Sequence, residues 1–221
     1  MTQYMKVPVE RIAVIIGPGG KTKRDIEKRI KTEFTVDSSN GNIEFPEGGD
    51  PIQKMRTVDV LKAIGRGFSP EKAITLFDDE MLMLDIIDLS ESTSTQKEQK
   101  RIKGRIIGRG GKTREIMEKL IGVHISVYGK TVSFIGTPEQ NQIVRTAIDM
   151  LINGVNHGTV YNYLEKKHQD IMKRQIQDTY RNIEFVDDEK EDEDTQDDDG
   201  VQEDVNDTQE SIDDMQEDID N

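Results

Sequence analysis

The chain has 221 residues, three histidines and no cysteine, which excludes a disulfide framework and any thiolate metal centre. The histidines (His124, His157, His168) share no HxxxH spacing, and no Ser/His/Asp set or carboxylate pair stands out, so no metal, cofactor, catalytic residue or small-molecule substrate is expected. The net charge of −14 is unevenly spread: residues 187–221 hold 19 acids and one base, and the rest holds 25 acids and 29 bases, a mildly basic +4.

Taken in chain order, "QYMKVPVE" reads as a leading strand, and the apolar Ile-Ile that follows enters a glycine turn, "IIGPGGKT", at residues 15–22. Ile26 and Ile30, at i and i+4, then place an apolar stripe on one face of a helix. "FTVDSSNGNIEF" predicts two short strands around a turn at Asn40-Gly41. Asp50, Pro51 and Gln53 form a capping-box pattern for a helix whose core face is Met55, Val58, Leu61 and Ile64. Ser69 and Pro70 open a further short helix, and a boundary falls near Asp78.

The order then repeats. "MLMLDIIDL" is a strand, and "SESTSTQKEQK" a polar loop turning helical towards Arg101. "IIGRGGKT" recurs at residues 106–113, 91 positions after the first copy. Met117 and Ile121 give the next helix its stripe, "ISVYGKTVSF" a second strand pair turning at Tyr128-Gly129. Thr137, Pro138 and Gln140 cap a helix lined by Ile143, Val144, Ala147, Ile148, Leu151 and Ile152. Each copy is therefore α+β, three strands backed by three helices. Residues 157–185 read as a helical extension in which Val160, Tyr161 and Leu164 are packing residues. Residues 186–221 are too acidic and too poor in apolar residues to offset the entropy of ordering, and are expected to be disordered. The opening residues have no signal-peptide layout and no apolar run reaches membrane-spanning length, so a soluble, cytoplasmic protein without membrane contact is expected.

Gly-Lys-Thr invites a phosphate-loop reading. That loop needs a glycine five positions before the glycine of GK[ST], where this chain has Ile15 and Ile106. The turns also read as entered from helices, whereas a phosphate loop is entered from a strand. The pattern Ile-Gly-x-x-Gly-Lys between two helices instead resembles the KH domain, whose GxxG loop clamps about four nucleotides of single-stranded nucleic acid. The resemblance implies two tandem type I KH domains, at residues 1–77 and 78–156. Glycines let a sugar-phosphate backbone approach closely, and the free N–H groups of the following helix favour an anion. The candidate RNA-binding residues are Ile16, Gly17, Pro18, Gly19, Gly20, Lys21 and Lys23 in the first copy, with Arg24 beside them. In the second they are Lys103, Arg105, Ile107, Gly108, Arg109, Gly110, Gly111, Lys112, Thr113 and Arg114. Ile15 and Ile106 join Ile16 and Ile107 as an apolar wall for bases, faced by Val36 and Val127.

The copies differ in charge. "KEQKRIKGR" puts five bases in nine residues ahead of the second loop, and Arg109 replaces Pro18. The first is flanked by Glu10, Asp25 and Glu27, so the second is expected to be the stronger clamp.

"AIGRGFSPEKAITLF", "DDEMLMLDIIDL" and "GVNHGTVYNYLEKK" further resemble the archaeal two-KH proteins related to the eukaryotic Krr and partner-of-Nob ribosome maturation factors. That resemblance covers residues 4–167. It implies binding of small-subunit ribosomal RNA near its 3′ end, and contact with an rRNA-processing nuclease and a translation initiation factor. A KH-fold scaffold for such proteins, with RNA secondary, is the alternative.

Overall fold

The computed structural model describes residues 3–46, 50–93 and 95–193. The chain divides into two compact units, Met1–Met172 and Lys173–Asn221. The first holds two successive repeats. In the first repeat, β1 (Gln3–Lys6), α1 (Val9–Ile16), a 3-10 turn (Pro18–Gly20) and α2 (Lys21–Ile30) precede β2 (Thr35–Val36), β3 (Asn42–Phe45) and α3 (Pro51–Gly65). After α4 (Pro70–Asp78) the order recurs as β4 (Met83–Asp88), α5 (Gln96–Ile107), a turn at Arg109–Gly111, α6 (Lys112–Ile121), β5 (His124–Tyr128), β6 (Thr131–Gly136) and α7 (Pro138–Ile152). α8 runs from His157 to Glu193.

Each repeat makes one antiparallel three-stranded sheet, ordered β1-β3-β2 and β4-β6-β5. Val36 pairs with Ile43 in the first and Val127 with Val132 in the second. The second hairpin is thus two residues shorter. The helices cover one face of each sheet. Ile12, Ile15, Ile26 and Leu61 meet Ile43 and Phe45 in one core. Ile102, Ile106, Met117 and Ile148 meet Val132 and Phe134 in the other. Each fully buried isoleucine is worth about 1.5–3 kcal/mol over an exposed one, which is why the i, i+4 stripes fix the helix faces.

The repeats touch directly. Arg11 donates to the carbonyls of Ile64 and Phe68 at 2.8 and 2.7 Å, and its guanidinium lies 5.5 Å from the centre of the Tyr128 ring. Tyr128 Oη donates to Glu10 at 3.0 Å, and Ser126 Oγ to the Arg66 carbonyl at 2.9 Å.

The structure departs from the sequence-based expectations at several points. Met55 is not on the core face: it is 66 % exposed, and Thr57 and Val60 are buried in its stead. The buried face of α3 begins at Thr57 and Val58 and runs to Gly65, with Ile52 and Met55 exposed ahead of it. Asp50 is a one-way cap, accepting from Ile52 N at 2.9 Å, whereas Thr137 and Gln140 form the full reciprocal box. Ser69 occupies the cap position of α4 without a side-chain cap bond. α5 starts at Gln96, because Thr95 accepts from Glu98 N at 3.2 Å and satisfies an otherwise free donor. α8 continues to Glu193, past residue 185; no proline or glycine interrupts residues 159–199. The remainder of the acidic segment, residues 194–221, lies outside the described residues.

Candidate nucleic-acid interface

The two glycine loops are copies of one another in backbone as well as in sequence. Gly17 has φ 73° and ψ 173°, and Gly108 φ 77° and ψ 174°. Gly19 and Gly110 have φ 56° and 61°, and Gly20 and Gly111 75° and 83°. Three of the four loop positions thus sit where side chains are disfavoured. Only Pro18 and Arg109 do not, so this is where the sequence varies. Each loop is closed by an N–H donated back to its first glycine's carbonyl, at 3.1 Å (Gly20) and 3.2 Å (Gly111). Both are entered from a helix and leave into a helix, unlike a phosphate loop.

The threonine of Gly-Lys-Thr has a structural task. A Cβ on Gly17 would stand 2.2 Å from Thr22 Oγ1, and one on Gly108 2.2 Å from Thr113 Oγ1. The threonine fills the space that the first glycine leaves. Thr113 is 2 % exposed and its hydroxyl bonds Tyr161 at 2.8 Å. It seats the loop on α8 rather than presenting an oxygen to a ligand.

The sequence-predicted residues separate into three groups. Ile15 and Ile106 are fully buried in the two cores and offer no wall to a base. They lie three and four residues after the buried Ile12 and Ile102, which turns both inward. Ile16 and Ile107, one position on, are half-buried beside the loops, and Val36 and Val127 are half-buried strand residues packed on the cores.

The second group comprises cations held by the protein itself. Lys103 donates to the Gly129 carbonyl at 2.9 Å, and Arg105 to the Val155 carbonyl. Lys23 bonds Glu27 and lies 5.2 Å from the Phe34 ring centre. Arg114 falls between this group and the next: it is exposed, and its 3.7 Å separation from Glu118 is a loose ion pair.

The third group is presented at the loops: Gly19, Gly110, Lys21, Arg109 and Lys112 are exposed, with Gly17, Gly20, Gly108 and Gly111 partly so. A Cβ on Gly110 or Gly111 would meet no atom within 4 Å, so the space above the second loop is open.

Sequence reading left His157 and Tyr161 out of the site. Val160 and Leu164 are indeed core residues, yet α8 also brings Tyr161 to the second loop and His157 Nε2 to 3.0 Å from the Arg105 carbonyl. The signal is their spacing of four beside the buried Val160: neighbours of a core position on a helix look along its edge.

The comparisons agree with this geometry. A family model described as a eukaryotic type KH-domain (KH-domain type I) matches residues 83–169. A KH domain-containing protein of Methanocaldococcus jannaschii is 36% identical over 178 residues, 79% of this chain and 78% of that protein. The RNA-binding protein pno1 of Drosophila pseudoobscura pseudoobscura is 27% identical over 174 residues, 77% of this chain and 73% of its own. Among solved structures, Dim2p from Pyrococcus horikoshii is 47% identical with a TM-score of 0.69, covering 75% of this chain and 99% of that one. The a/eIF2alpha–aDim2p–rRNA complex from the same organism is 46% identical with a TM-score of 0.71, covering 77% and 95%. The chain belongs to the KH-domain family that holds these proteins.

Proposed function

We propose that this protein binds single-stranded ribosomal RNA, with the loop at Gly108–Gly111 as the principal clamp. The observation that carries this reading is the seated second loop. Its backbone is fixed by three left-handed glycines, Thr113 anchors it from below, and Arg109 and Lys112 stand exposed beside an open helix N-terminus. A neighbour at 46% identity is an rRNA complex that also holds a/eIF2alpha. The same partners, ribosomal RNA and a translation initiation factor, suit this chain. The sequence resemblance supports a role in ribosome maturation; in this reading the protein acts on small-subunit RNA near the 3′ end, alongside a processing nuclease.

Both repeats are KH domains in this reading: residues 1–77 and 78–156, with a helical extension at 157–185 and an acidic tail at 186–221. The first domain is the weaker clamp, since Lys23 is engaged by Glu27 and Phe34, and Glu10 stands where the second repeat has Arg101. That leaves it free for a protein contact.

Exchange of Gly110 and Gly111 for aspartate tests the proposal. Both sites have room for the side chain and the left-handed backbone costs about 1 kcal/mol at each, so the fold is expected to survive while two carboxylates repel phosphate. Fluorescence anisotropy with small-subunit 3′-end RNA is expected to show at least a tenfold loss. Unchanged affinity with an intact circular-dichroism spectrum would refute the clamp and favour a protein scaffold.

A further inference from the structure

Behind the second loop, towards α8, lies a cleft of about 380 Å³ that no strand residue lines. Its floor is Gly104 on α5, and a Cβ there would meet no atom within 4 Å. One wall is aromatic: His157 and Tyr161, ring centres 6.1 Å apart, project from successive turns of α8. The mouth carries Arg101, Arg109 and Lys112. Arg101 is 63 % exposed and its nearest carboxylate, Glu98, is 3.7 Å away. Within the cleft, Arg105 spends an Nη on the Val155 carbonyl, but its Nε is buried with no hydrogen-bond partner. A buried donor without an acceptor is costly, and a ligand oxygen would remove that cost.

The first repeat is an internal control. Aligned by the 91-residue offset of the loops and the 87-residue offset of Pro51 and Pro138, it has Glu10 for Arg101, Ala13 for Gly104 and Val14 for Arg105. It has Pro18 for Arg109, Pro70 for His157 and Ile74 for Tyr161. Val14 and Ile74 are packed against the first core. The same fold therefore closes this space with apolar side chains in one repeat, and in the other opens it and lines it with cations, aromatics and an orphan donor.

We propose that the cleft between α5 and α8 is a second nucleotide subsite, which takes one base and its phosphate from the strand running on from the loop. The base lies against the Tyr161 and His157 rings, the Arg105 side chain turns its unpartnered Nε to an oxygen of that nucleotide, and Arg101 meets its phosphate. The volume is at the low end of ligand pockets, enough for a single flipped-out nucleotide and too small for a duplex. The subsite rests on the RNA-binding reading but extends the footprint beyond the four nucleotides of a GxxG loop.

The test uses the full chain and labelled single-stranded RNAs of four and eight nucleotides. Gly104→Leu puts an apolar side chain into the cleft from a Cβ position with no atom within 4 Å, and it favours the helix. Arg101→Ala removes an exposed side chain. A stacked base is worth on the order of tenfold in affinity. The eight-to-four affinity ratio is therefore expected to fall about tenfold in Gly104→Leu. Arg101→Ala is expected to lower the salt slope for the longer RNA by about 0.7, the effect of one phosphate contact on a single strand. An unchanged ratio in both variants overturns the subsite while leaving the loop clamp standing. Equal losses on both lengths overturn it too, since they place the effect in the loop itself. If wild-type protein binds neither RNA, the RNA reading falls with it.

Discussion

Tyr161 Oη and Thr113 Oγ1 lie 2.8 Å apart, joining α8 to the first turn of the helix that leaves the second glycine loop. Thr113 is 2 % exposed, so its hydroxyl has no water to fall back on. Tyr161→Phe is expected to cost about 1–3 kcal/mol of stability, the usual penalty for stranding a buried polar group. Thr113→Val combined with Tyr161→Phe removes both partners and should cost less than the two single changes summed. Urea denaturation of the four proteins of this cycle measures the coupling; strict additivity would mean that the bond does not seat the loop.

The glycines of the second loop are predicted to be unequal. Alanine at Gly108 must accept a φ of 77° and a Cβ 2.2 Å from Thr113 Oγ1, whereas Gly110 faces open space. Gly108→Ala is expected to destabilise by more than about 2 kcal/mol, and Gly110→Ala by about 1 kcal/mol, the cost of the left-handed backbone alone. Denaturation midpoints decide the order, and a reversed order would contradict the packing of threonine beneath the first glycine.

For RNA affinity, Arg109→Ala should weaken binding more than Pro18→Ala. Arg109 is an exposed cation beside Lys112, and its counterpart in the first loop carries no charge. Losing one phosphate contact should lower the salt slope by about 0.7 on a single strand. Titrations at several salt concentrations read both quantities; an equal loss at Pro18 would refute the ranking of the two loops.

His124 offers a pH-dependent readout of the contact between the repeats. Burial chiefly, and then the Lys72 ammonium of the first repeat, hold its imidazole below the ordinary value, with Glu118 acting in the opposite direction. Lys72 and Glu118 are themselves 3.6 Å apart. The folded protein thus favours neutral histidine. Its contribution is full above the unfolded value near 6.5 and is lost as pH falls through the lower folded value. His124→Asn is expected to flatten the fall in thermal stability as pH drops below about 6.5. An unchanged profile would exclude His124 as its source.

Much of the architecture was legible locally. A glycine that must take positive φ, a Thr-Pro cap and an i, i+4 apolar stripe are decided within a few residues, so both loops, their flanking helices and the hairpins could be read from the chain. The start of α5 was also written there, in Thr95 and Glu98. Other features depend on what stands opposite each side chain. Ile15 and Ile16 are chemically the same residue, and only the core behind α1 buries the first and leaves the second at the loop. Lys103, Arg105 and Arg109 are equivalent as charges. The Gly129 and Val155 carbonyls, 26 and 50 residues away, take up the first two and leave the third exposed. Tyr161 reads as a packing residue until α8 folds back against the second loop. The sequence by itself determined the backbone conformations, because φ preferences, caps and periodicity are local. Tertiary structure decided which charges are free and which glycine turn has a cleft beside it, because desolvation and hydrogen-bond pairing depend on neighbours that chain order does not reveal.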